Sequence, residues 1–195
     1  MNAATLSKVL RPKASDICQD IEQDAQALAS LALDMSPVSY LNALLAMSLY
    51  PDAVRFLARA LPKREAVWWA CLCTRSSLGH NARAEVSGAL AAAEAWVYEP
   101  SENMRRSAYK AAVMASFDNP AAWAAMAAFW SEGSMTPEEL PAVPVIDNLN
   151  AKAVAGAVML SAVQGAAEQI QDKYPFFIEQ GIDIANGGNG KLWAI

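Results

Sequence analysis

Histidine occurs once in the 195 residues, at His80. No Cys or His stands at the paired spacing that closes a tetrahedral zinc site, and there is no His-x-x-x-His pair. A hydrolase built on this chain would need His80 to meet a nucleophile and a carboxylate through folding alone. Cysteine is nearly as scarce. Cys18, Cys71 and Cys73 cannot all pair within one chain, which fits a reducing cytosol better than a disulfide scaffold. In a helix, Cys71 and Cys73 point about 200° apart, so a joint metal or redox role is disfavoured and each reads as a small buried apolar residue.

Glycine-rich phosphate loops are missing too. "GGNGK", residues 187–191, lacks the spacing, the Ser/Thr and the following helix of a P-loop, and reads as a turn before a flexible tail over 186–195. Basic residues number only 15 in a chain of net charge -5, with no basic block longer than two, which argues against a nucleic-acid partner. The most apolar run, 153–167, is shorter than the ~20 residues that cross a bilayer and contains Gln164, so it reads as a buried helix. The first residues lack the continuous apolar run of an export signal, and 1–14 are expected to be a disordered N-terminus. These absences together predict a cytoplasmic protein without metal or cofactor and without membrane insertion.

What is abundant is helix punctuation. Ser15 or Asp16 caps a helix through about Leu33 on the spacing Ile17, Ile21, Ala25, Leu28 and Ala32. Ser36-Pro37, Pro51-Asp52 and Pro62 open three more helices with almost no loop between them. Asn81 caps "ARAEVSGALAAAEAWVY", Ser101 caps "ENMRRSAYKAAVMASF", and Asn119-Pro120 opens "AAWAAMAAFWSE" ahead of Gly133. Pro137, Pro141 and Pro144 exclude a long helix from the next segment, although Glu138-Glu139 suits the first turn of a short one. A last long helix covers 149–174. The pattern predicts an all-α single domain over 1–195, a compact multi-helix bundle of about seven or eight helices. Its alternative is a stack of solenoid-like helical hairpins, suggested by the likeness of "AVWWACL" to "AAWAAMA".

Charged residues make up 18% against 54% hydrophobic, so the helices are buried on several faces or part of the surface meets a partner. Six tryptophans sharpen that choice. Adjacent Trp68 and Trp69 project about 100° apart on a helix, so they are either both sealed inside or divided between core and surface. Lys63, Arg64, Trp68, Trp69 and Trp130 are the candidate partner-binding residues. Arg105-Arg106 stand three and four residues after Glu102 and read as a solvated ion-paired face.

The runs "DAVRFLARALPKREAVWWACLCTR", "NPAAWAAMAAFWSEGSM", "LNAKAVAGAVMLSAV" and "GIDIANGG" resemble an uncharacterised family of helical bacterial proteins associated with type VI secretion gene clusters. The similarity covers most of the chain after about residue 36. It implies a cytoplasmic adaptor or chaperone that holds an effector or another component of the apparatus, and it brings no catalytic residue with it. Two other classes are compatible with the residues: an immunity protein that neutralises a toxin, and an enzyme with a pocket near His80, Glu65 or Glu132. Homo-oligomerisation through excess apolar surface suits all three.

Overall fold

The computed structural model describes residues 3, 5–79, 81–165 and 170–192. His80 lies outside them, as does Trp193. Ten helices and no strand occur among the described residues: α1 (Ala14–Cys18), α2 (Ala25–Ala29), α3 (Pro37–Ala46), α4 (Tyr50–Ala60), α5 (Lys63–Ser77), α6 (Ala84–Tyr98), α7 (Glu102–Ala115), α8 (Pro120–Phe129), α9 (Leu149–Val163) and α10 (Ile170–Ala185). Ten is slightly above the expected seven or eight, and eight of the ten run ten residues or more.

Several helices start where the side chains require it. Ser36 Oγ accepts from Ser39 N at 3.1 Å and Ser101 Oγ from Met104 N at 3.3 Å. Asn119 Oδ1 accepts from Ala122 N at 3.0 Å, and Pro120 takes the first helical position, where its missing N–H costs nothing. Helix α8 is alanine-rich and buried on nearly every side, and it packs on α5, α6, α7 and α9. Small side chains let these neighbours approach closely. The buried amide of Asn150 on α9 donates to Ala127 O at 2.8 Å, which satisfies a polar group inside the alanine layer. Helices remote in sequence meet here, α5 with α9 and α4 with α10, which is bundle packing rather than the nearest-neighbour packing of a solenoid.

Four local expectations give way. The single helix expected through Leu33 is two short ones, because Asp24 interrupts it. Its carboxylate accepts from Gln26 N at 2.8 Å to start α2, and its own N–H donates to the buried Asp52 at 2.9 Å. Asn81 is not a cap, since α6 begins at Ala84 after Arg83. Glu138-Glu139 sit in a turn closed by Leu140 N to Pro137 O rather than in a helix. The long final helix is divided: α9 stops at Val163, Gln164 is extended and Gly165 is left-handed at φ 99 before α10 begins.

Arg105 is the largest departure from the sequence reading. It is a fully buried arginine, not part of a solvated face. Its guanidinium donates to Glu102 at 2.6 and 2.8 Å, to Phe129 O at 2.7 Å and to Ser134 O at 2.9 Å. It also lies 4.6 Å from the Phe129 ring centroid. Gly133 passes so close, at φ +73, that a Cβ there would stand 3.1 Å from the guanidinium carbon. One side chain thus ties α7, the end of α8 and the start of the proline-rich loop together. That loop doubles back, with Met135 N donating to Val143 O and Val145 N to Gly133 O. Pro144 pairs with Ser134 at a position that needs no N–H.

Candidate functional site

The two adjacent tryptophans of α5 diverge as the helical angle requires. Trp69 turns inward and is fully buried, with Nε1 donating to Phe177 O at 2.7 Å. Gly181 of α10 lies flat against it, so that a Cβ there would stand 2.9 Å from the indole. Trp69 is therefore removed from any surface. Trp68 turns outward and stays half-buried. Its Nε1 donates to Asn189 O at 2.8 Å, and its ring meets Tyr98 edge-on with centroids 6.0 Å apart.

A hollow of about 410 Å³ opens beside Trp68. Arg64, one turn earlier on α5, donates Nε to Val97 O at 2.6 Å and Nη2 to Tyr98 O at 3.5 Å, which satisfies free carbonyls at the end of α6. Tyr98 is 69% exposed. The other wall comes from the segment after α10: Gly190 N donates to Asp183 at 2.8 Å, Gln180 Nε2 donates to Gly190 O at 2.9 Å, and Lys191 Nζ stands 5.8 Å from the Trp68 ring centroid. Lys8 closes one end through Glu65 at 3.0 Å, while its backbone N–H donates to Ala185 O at 2.8 Å. Gly188, Asn189 and Lys191, in the expected tail, therefore line the hollow, and so does Lys8.

The remaining candidates lie elsewhere. Lys63 faces Asp147 at 3.3 Å, where Arg59 at 2.6 Å and Arg11 at 3.8 Å also converge. Burial pushes the Asp147 carboxyl up, but the Arg59 and Lys63 charges outweigh it and hold the group below its ordinary range. Trp130 ends α8, tilted against Trp123 with centroids 6.5 Å apart. The structure thus brings Arg64 and Trp68 together and separates both from Lys63, Trp69 and Trp130. Tyr98, Asn189 and Lys191 were missing from the sequence-based set. Tyr98 had a signal, as an aromatic closing a helix just before Pro100. Lys191 had none, because a lysine after "GGNG" looks like tail.

Burial pushes the Cys71 and Cys73 thiols far up, and pushes Cys18 to about 11 against the pull of its hydrogen bonds to Gln23 and Tyr40. Among the described residues no group of three His, Cys, Asp or Glu side chains is placed to hold a metal ion. Glu65 is occupied by Lys8, and Glu132 is exposed beyond α8.

Fold and site together define an all-helical protein with a half-open hollow walled by two aromatic rings and rimmed by cations. The chain belongs to DUF6931, a family of unknown function whose family model matches residues 40–185. No curated protein and no solved structure matches it. The matched span contains Arg64, Trp68 and Tyr98, whereas Lys8, Asn189 and Lys191 lie beyond it.

Proposed function

We propose that this chain is a non-enzymatic protein-interaction module, an accessory, adaptor or chaperone protein of a bacterial type VI secretion system working in the cytoplasm. The resemblance of its tryptophan-bearing segments to a family from such gene clusters supplies the setting. The observation that carries the interaction reading is the hollow beside Trp68. Aromatic rings and an arginine at a concave surface are the residue types that dominate protein interfaces, and they are set here on two helix ends and a hydrogen-bonded turn. No described helix is long and apolar enough to cross a membrane.

Affinity purification with cross-linking from the native host tests this reading. A component of the secretion cluster should be retained and cross-linked to the chain. Recovery of no partner from cells expressing the cluster would end the proposal.

A further inference from the structure

The hollow beside Trp68 has a charge that the molecule as a whole does not. The chain carries a net -5, yet Lys8, Arg64 and Lys191 line this hollow against Glu65 alone. Lys8 is paired with Glu65 at 3.0 Å, and Asp183, which accepts from Gly190 N, does not line the hollow. Among the described residues Arg64 and Lys191 have no carboxylate partner. Arg64 directs two nitrogens to main-chain carbonyls, and Lys191 stands over an indole face. Carbonyls and a π face favour these cations without cancelling their charge. Two uncompensated cations therefore line the hollow together with Trp68 and the exposed ring of Tyr98, which meet edge-on.

Resting on the reading proposed above, the geometry points to one occupant: an acidic peptide segment of a partner protein. Its carboxylates face Arg64 and Lys191, and an apolar side chain lies against Trp68 and Tyr98. Arg64 still has Nη1 for a carboxylate after serving the α6 carbonyls, and Lys191 has three donors on a flexible stem. The aromatic walls add what charge alone cannot, since rigid rings bury apolar area at small entropic cost. A nucleic-acid strand also offers anions and stacking bases, but it carries a charge on every phosphate and would meet the negative field of the remaining surface. A short acidic segment needs only the local cations.

Calorimetric titration of the full chain with a short glutamate–leucine peptide tests this, with the glutamine–leucine counterpart and an oligothymidylate as comparators. The glutamate peptide should bind saturably and the glutamine peptide at least about tenfold more weakly, as expected when charge pairs at a rim are lost together. Raising the salt from low to near-molar should weaken the glutamate complex steeply. Lys191→Glu, in a turn outside every helix, should lower affinity by about tenfold or more with thermal unfolding unchanged, and Arg64→Ala should lower affinity by as much with at most a small shift in thermal unfolding. Equal binding of the two peptides, oligothymidylate binding more tightly than either, no binding at all, or Lys191→Glu binding like wild type would each overturn the assignment. The two readings fail separately. If host purification retains a partner equally well on wild type and on the Arg64→Ala/Lys191→Glu variant, the interaction reading stands and this groove is wrong. If the peptide results hold while the host yields no partner, the groove chemistry stands and the secretion setting falls.

Discussion

Arg105 and Arg64 are given the same ingredients and put to different ends. Each stands beside an aromatic ring and donates to carbonyl groups near a helix end. Arg105 also has Glu102 and is closed over completely, so every direction around its guanidinium is filled. Arg64 lacks the carboxylate and remains exposed. The carboxylate is the difference that matters. With it the cluster becomes an internal joint between α7, α8 and the proline-rich loop, and without it the arginine is left with capacity for something outside the chain.

The largest test of this contrast is Arg105→Met. It leaves Phe129 O and Ser134 O without their buried donor and Glu102 without its main partner, which should cost about 3 kcal/mol or more, close to a 10 °C fall in melting temperature for a chain of this length. Arg105→Lys should recover only part of that, because one ammonium cannot span the fork of contacts that a planar guanidinium makes.

Next in size is Gly181→Ala. The substitution gains up to ~1 kcal/mol of helix propensity but drives a methyl into the rigid, buried Trp69 ring, where overpacking costs about 1–3 kcal/mol, so the net effect should be destabilising. A Trp69→Phe background should shrink the penalty, and a double-mutant cycle by urea unfolding would measure the coupling.

A smaller effect should appear in acid. The hydrogen bond from Arg105, with Arg106 assisting and burial working against them, holds the Glu102 carboxyl below its ordinary range. A folded-state pKa below the unfolded one contributes stability at pH above the unfolded value, about 4.3, and that contribution is lost as pH falls through the folded value. Urea melts between neutral pH and pH ~3 should therefore lose stability less steeply in Glu102→Gln than in the wild type. Smallest of all, Arg64→Ala should change stability by less than about 1 kcal/mol, because its bonds are at the surface. A large loss there would erase the contrast between the two arginines.

Much of the architecture was legible because it is written in local chemistry. Ser36, Ser101 and Asn119 cap the helices that their spacing predicts, and the alanine-rich α8 is buried on nearly all sides. Misreadings occurred where a side chain's partner is distant. Asp24 breaks the first helix partly through Asp52, which lies 28 residues away. Arg105 looked like a surface residue because its i–3 glutamate suggested a solvated pair, and its acceptors at Phe129 and Ser134 carry no sequence signature. The candidate site divides in the same manner. The angle between Trp68 and Trp69 could be read from the helix, but which indole faces inward depends on α10, and Lys191 reaches Trp68 only through a turn that Asp183 holds.

The indole hydrogen bond of Trp69 also has a meaning in time. Its acceptor lies 108 residues further along the chain, whereas α6, α7 and α8 follow one another and pack as neighbours. Closing short loops comes before closing long ones, so the α6–α7–α8 unit should assemble first and α10 should dock late. Until it does, Trp69 has neither the Gly181 surface nor the Phe177 carbonyl, and its ring stays wet. The emission of this one tryptophan, followed through refolding, would therefore date the moment at which the two ends of the bundle are joined.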